Sequence, residues 1–157
     1  MVILRPYRSE EFEEACRIRE LTTLERVERF RARFEQSGQW HEHYLHLAIE
    51  ADGVLVGDMQ LRHCDFTMPE GALEMGLELL PEVRGKGIGT QALKEVARYA
   101  FAQGHHRVEG STTEGNIGMR KSFEKAGWVF EGVLRNLFVE DGAPVDYYSY
   151  AITKFDG

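Results

Sequence analysis

The stretch Arg84-Gly85-Lys86-Gly87-Ile88-Gly89-Thr90 constrains this chain more than any other. Three alternating glycines lie between a run of strand character and a run of helical periodicity, so the backbone can turn successive N–H groups toward a single point. At the mouth of a helix that point also gains the positive end of the helix dipole, and Arg84 and Lys86 add full charge. A pyrophosphate is the expected occupant. The plain alternative is a strand-to-helix turn that uses glycine only for its conformation.

Two nucleotide-binding patterns compete for the same residues. A P-loop needs GxxxxGK followed by Ser or Thr, and here Lys86 is followed by Gly87, which removes both the lysine and the hydroxyl from their places. The dinucleotide fingerprint fares better, because Gly87-x-Gly89-x-x-Ala92 satisfies it and Glu109 stands at a suitable distance for a ribose hydroxyl. Against it, the preceding segments read as helices and an antiparallel hairpin rather than an opening βαβ unit, and 157 residues leave no room for a separate substrate domain.

The surrounding pattern alternates strands with helices. Val2 to Tyr7 reads as a strand, Ser9 with Glu10 and Glu11 as a helix start, and Thr22 to Gln36 as an amphipathic helix carried by Leu24, Val27, Phe30 and Phe34. Residues 46–50 and 54–61 form a predicted hairpin around Asp52-Gly53. Leu73 to Leu80 alternates, with Leu73, Met75, Leu77 and Leu79 on one face and Glu74, Gly76 and Glu78 on the other, and stops at Pro81. A helix over 90–102, a strand over 107–113, a helix over 116–126 and a hairpin of 128–139 with 145–153 complete the chain.

One domain over residues 1–157 is expected from the length and from an ordinary globular balance of 43% hydrophobic and 29% charged residues. A net charge of −7 argues against partners bound by phosphate neutralisation, so no nucleic acid is expected. No apolar run approaches the length needed to span a bilayer and the first residues turn polar early, so no membrane partner and a cytoplasmic location are expected. Cys16 and Cys64 lack zinc-type spacing and read as free thiols.

Around the glycine loop the chain resembles the GNAT superfamily of acyl-CoA-dependent N-acetyltransferases, whose signature R/Q-x-x-G-x-G/A is met by Arg84 to Gly89. The lead-in Glu74-Met75-Gly76-Leu77-Glu78-Leu79-Leu80-Pro81-Glu82 is similar to the family's central strand. A second block, Asn116, then Phe123-Glu124-Lys125-Ala126-Gly127-Trp128, then Glu131-Gly132-Val133-Leu134-Arg135, resembles another family region, and the branch it is most similar to includes ribosomal-protein N-terminal and spermidine acetyltransferases. The resemblance implies a mixed, mostly antiparallel central sheet flanked by helices in a single compact α/β domain. It also implies acetyl-CoA as cosubstrate, a primary amine as acceptor (polyamine, aminoglycoside or peptide N-terminus), no metal, and a sheet whose central strand splays from its neighbour. By position, backbone groups of Leu77, Leu79 and Leu80 are expected to meet pantetheine and orient the thioester carbonyl, and Arg84, Gly85, Lys86, Gly87, Ile88, Gly89 and Thr90 the pyrophosphate. Asn116 is placed on the pantetheine arm, Lys121 within reach of a CoA phosphate, and Phe123 where many relatives carry a thiolate-protonating tyrosine.

Phenylalanine donates nothing, and Met119 stands where the ribosomal-protein branch often has serine, so the usual general acid is absent from both places. Solvent, Tyr147 or Tyr148 are the remaining proton sources. A base must also take a proton from the alkylammonium acceptor; Glu74 and Glu78 are the first candidates and Asp58 the next. His41, His43 and His46 with Trp40 and Tyr44 are assigned to the lip of an acceptor pocket rather than to a metal site. The exposed hairpins of such a fold are compatible with a homodimer. A different class of function, a CoA-binding sensor without catalysis, stays open because of Phe123.

Overall fold

In the computed structural model, which covers residues 1–157, the strands are β1 (Val2–Arg5), β2 (Tyr44–Ala51), β3 (Val54–Arg62), β4 (Ala72–Leu79), β5 (Arg107–Thr113), β6 (Val129–Glu140) and β7 (Ala143–Thr153). The helices are α1 (Phe12–Ile18), α2 (Leu24–Glu35), α3 (Ile88–Ala102) and α4 (Ile117–Lys125). All strands join one sheet in the order β1-β2-β3-β4-β5-β7-β6. Every neighbouring pair is antiparallel except β4 and β5. No helix is long and apolar enough to cross a membrane.

Local chemistry explains the connections. Asp52-Gly53 and Asp141-Gly142 all take positive φ, between 49° and 84°, the geometry of a two-residue hairpin whose twist matches its strands. Thr23 caps α2 by accepting from the Arg26 amide at 3.2 Å. The first helix departs from expectation: Ser9–Glu11 is a 3₁₀ turn, and Glu11 accepts from the Arg8 amide at 2.7 Å, so the α-helix begins only at Phe12. A second departure is Leu24, which lies exposed on α2; that helix is anchored by Phe30 and Phe34.

Two apolar layers sandwich the sheet. On one face α3 buries Ala92, Leu93, Val96 and Ala100 against Leu47, Leu61, Leu73 and Val108, and α4 adds Phe123. On the other, α1 and α2 pack Ala15, Phe30 and Phe34 against Tyr7 and Ala48.

The feature that shapes the site is a parting of β4 from β5. Their ladder runs only from Ala72–Arg107 to Glu74–Glu109, whereas β4 stays paired with β3 as far as Leu79 and β5 with β7 as far as Thr113. At the parting, Met75 and Phe123 press on Gly110, where an added Cβ would lie 2.6 Å from Met75 Sδ and 3.1 Å from Phe123 Cζ. Met75 and Phe123 thus cover the face of β5 at this point, and the expected splay is present.

Candidate active site

The glycine loop lies at the open end of that wedge, reached from β4 through a 3₁₀ turn at Pro81–Val83. Gly85 and Gly87 adopt φ of 77° and 82°, a conformation that a residue with a side chain takes at a cost of roughly 1–2 kcal/mol. Gly89 differs, because α3 already begins at Ile88, two residues earlier than the periodicity suggests. Its contribution is space: an added Cβ would stand 3.5 Å from Ser122 Oγ and 3.8 Å from Leu79 Cδ1. Backbone amides from Gly85 to Thr90 make no hydrogen bond within the protein, while the next, Gln91, bonds the Gly87 carbonyl. A run of free donors at a helix mouth fits a pyrophosphate.

A groove of about 410 Å³ runs from this loop along the unpaired edge of β4 to α4. Leu77, Glu78 and Leu79 form one wall, and Asn116, Met119 and Ser122 the other. Asn116 caps α4 by accepting from the Met119 amide at 3.1 Å, which leaves its amide NH₂ for a ligand. Ser122 and Gly118 are groove residues that sequence reasoning missed. The signal was available: 116, 119 and 122 are spaced by three along one helix face.

Several expected site residues fall elsewhere. Phe123 is fully buried, stacked on Tyr150 at 4.7 Å between centroids and against Trp128 at 5.1 Å, so its ring offers no surface to the groove. The Leu80 side chain is in the core and its amide donates to the Val56 carbonyl at 2.9 Å, while Lys86 and Lys121 project from exposed positions outside the groove lining. Ile88 and Thr90 are half-buried in the first turn of α3 and lie outside the groove lining. Tyr148 is half-buried on β7 opposite Thr112, with the Arg120 guanidinium 4.3 Å above its ring, and does not line the groove. Tyr147 donates to Glu140 at 3.1 Å further along the same hairpin.

Of the proposed bases, Glu74 lies where β4 is still paired with β5 and is tied to Arg62 Nε at 2.8 Å. Glu78 lies beyond the parting and lines the groove. It accepts from Gln60 Nε2 at 2.5 Å, and the same amide donates to Asp58 Oδ1 at 2.7 Å. Gly76 makes this reach possible, since a Cβ there would sit 2.7 Å from Gln60 Oε1 and 2.8 Å from Arg62 Nη1. Burial first, and then the charge of Asp58, push the Glu78 carboxyl above the ordinary glutamate value; Arg19, Gln60 and Arg62 pull the other way without cancelling.

Asp58 is the fully buried centre of this network. It accepts from Tyr7 Oη at 2.6 Å, and His46 Nδ1 lies 3.2 Å from its Oδ1. Burial opposes its charge, yet the hydrogen bond and charge of His46, with Arg19 and the Tyr7 hydroxyl, hold it below the usual aspartate value. Burial and the same carboxylate push Tyr7 well up, so it stays a neutral donor. His46 is thus an interior partner of Asp58, and the three histidines do not form one lip: His41 and His43 stay on the preceding turn, half-buried and exposed. No group of three or more His, Cys, Asp or Glu side chains is placed to hold a metal ion.

The description of the acetyltransferase (GNAT) domain matches residues 2–129. The chain belongs to the GNAT acetyltransferase family. Among curated relatives, the probable N-acetyltransferase YjcK of Bacillus subtilis is 30% identical over 135 residues, 83% of this chain and 71% of that protein. Among solved structures, Mycobacterium smegmatis RimJ in complex with CoA-disulfide aligns with a TM-score of 0.76 at 25% identity, covering 98% of this chain and 82% of that one. The Vibrio cholerae spermidine N-acetyltransferase in complex with CoA and spermine aligns with a TM-score of 0.79 over 97% of this chain and 95% of that one; at 17% identity the likeness is one of fold. As a GNAT acetyltransferase the chain is an acyl-CoA-dependent enzyme whose cosubstrate is acetyl-CoA, and the free amides and unpaired strand edge described above fit that molecule's pyrophosphate and pantetheine amides.

Proposed function

We propose that this enzyme moves an acetyl group from acetyl-CoA directly to a primary amine, with Glu78 as the general base. One observation carries the assignment: a carboxylate with raised proton affinity lies on the groove wall just past the point where β4 leaves β5. An ammonium with a pKa near 8–10 must lose a proton before it can attack, and a base whose own value has risen toward neutrality takes that proton more readily. Gln60 holds one Glu78 oxygen, and the other accepts no hydrogen bond within the protein.

The cosubstrate, when bound, supplies an activated acetyl thioester. Backbone groups of Leu77 and Leu79 orient it along the open edge of β4, and the amides from Gly85 to Thr90 hold its pyrophosphate. Ser122 is the one hydroxyl side chain among the groove residues. It stands beside Gly89 at the pyrophosphate end of the groove, so solvent is the proton source for the departing thiolate.

The test is thiol release from acetyl-CoA across polyamines, aminoglycosides and short peptides with free N-termini. Release that depends on one amine class supports the enzyme and names its acceptor. Acetyl-CoA that raises Tm without any turnover, across acceptors of all three classes, would favour a silent CoA sensor.

A further inference from the structure

Beside α1 and α2, a cavity of about 140 Å³ is lined by Arg19, Arg26, Arg29 and Arg33 with Leu21 and Phe30. Arg26, Arg29 and Arg33 follow at i, i+3 and i+7 on α2, and Arg19 joins them from the end of α1. No carboxylate lines the cavity, in a chain whose net charge is −7. The four cations are only partly spoken for. Arg29 pairs with Glu25 at 2.7 Å on the exposed side, and Arg33 lies 3.7 Å over the Tyr44 ring. Arg26 has no ion pair. Arg19 is held 5.0 Å over Phe30, and its Nε is buried with no hydrogen-bond partner.

A buried unpartnered N–H costs roughly 1–3 kcal/mol, and four like charges around one small cavity repel one another. An anion in the cavity relieves the repulsion, and guanidinium groups match carboxylate and phosphate geometry. The cavity is also close to the base. Arg19 Nη1 lies 3.9 Å from Asp58 Oδ1, that oxygen 2.7 Å from Gln60 Nε2, and that nitrogen 2.5 Å from Glu78 Oε2. Arg19 and Glu78 are therefore at most about 9 Å apart.

We propose that the arginine cavity is an acceptor subsite: it holds a carboxylate or phosphate carried by the amine that is acetylated. The proposal rests on Glu78 as the base, and it narrows the acceptor to amines with a negative charge within roughly two extended residues, about 7 Å, of the nitrogen. A polyamine, cationic throughout, meets repulsion there. A net charge of −7 favours cationic substrates over the molecule as a whole, whereas the local field around α2 points the other way.

The test uses the full chain saturated with CoA, so that the glycine loop is filled. N-acetylglutamate, methyl phosphate and the uncharged N-acetylglutaminamide are titrated at constant ionic strength while the Arg19 Nε–H resonance is followed, assigned by its loss in Arg19→Lys. A saturable shift is expected with one or both anions, at least 10-fold weaker in Arg26→Gln, and absent with the amide; the two anions distinguish a carboxylate from a phosphate. Turnover is then compared for Ser-Glu-Ala amide, Ser-Gln-Ala amide, O-phosphoethanolamine, ethanolamine and spermidine. At least one charged acceptor is expected to exceed its uncharged partner 10-fold in kcat/KM, with the preference collapsing in Arg26→Gln. No saturable shift, a preference for spermidine, or a saturable shift without turnover of any charged acceptor would each overturn the proposal. Loss of turnover in Glu78→Gln with the anion preference intact in residual activity confirms base and subsite separately, whereas unimpaired Glu78→Gln turnover overturns the base assignment alone.

Discussion

Replacing Glu78 by Gln tests the chemistry with little disturbance of the fold. The glutamine carbonyl can accept the same hydrogen bond from Gln60 Nε2, so the Gln60–Asp58 link survives. What is lost is the basic oxygen. General-base catalysis contributes about 10²–10⁴-fold, so kcat/KM should fall at least about 100-fold, or ~2.7 kcal/mol of transition-state stabilisation. Stability should hold or rise. A carboxyl whose folded-state pKa is raised contributes stability below its unfolded value, near 4.5, and loses it as pH climbs through the folded value, so at neutral pH ionised Glu78 works against the fold beside Asp58. Gln is a permanent stand-in for the protonated form. Thiol release should be measured from pH 4.5 to 9 alongside thermal melts. The parent enzyme should lose activity as pH falls through a value above 4.5, and that limb should vanish in the variant. Activity within threefold of the parent at every pH, with the acid limb unchanged, would refute the reasoning.

Asp58→Asn should cost about 3–5 kcal/mol, because it leaves the Arg19 guanidinium without its buried counter-charge. The Asp58 contribution exists above pH ~3.8 and disappears as pH falls through its depressed folded value, so the parent and variant melts should converge in acid. In whatever folded Asp58→Asn remains, the acid limb of activity should move to lower pH, since the Asp58 charge helps raise Glu78. Gly87→Ala should lower stability by roughly 1–2 kcal/mol through its positive φ, whereas Gly89→Ala should leave Tm unchanged or higher yet weaken CoA, its new methyl standing between Ser122 and Leu79; melts and CoA titration separate the two. Phe123→Tyr should lower stability by about 1–3 kcal/mol without raising kcat, because the ring end is already crowded by Gly110 and the added hydroxyl points into the core.

The elements that carry the fold were legible because their signals are local. Arg107–Thr113 falls on the strand its pattern suggests, and the hairpin turns at Asp52-Gly53 and Asp141-Gly142 stand where the residue types place them. The loop glycines and Asn116 stand at the starts of α3 and α4 for the same reason. The place of Phe123 was not legible: a position aligned with a family motif says nothing about which way a ring turns once Tyr150 and Trp128 compete for it. The buried network was half visible, since Asp58 and Gln60 interrupt an apolar strand at a spacing of two. Its partners, Tyr7, Arg19 and His46, come from segments up to 51 residues away and meet only through the sheet register.

That register also divides the labour of β4. Alternate side chains face opposite layers, so Leu77 and Leu79 pack toward α3 while Glu78 turns toward Gln60, Asp58 and the α1–α2 layer. The strand is held on one edge by β3 and is free on the other, which lets one rigid element present backbone groups to a thioester and a carboxylate to an amine. The glycine loop and the open edge are demands of the cosubstrate and can be read from a motif. The proposed acceptor subsite draws instead on α1 and α2, which carry no motif of that kind. Arginines spaced by three and four there look like an ordinary solvated helix face until the fold sets them against Arg19, and only then does their charge bear on which amine can reach Glu78.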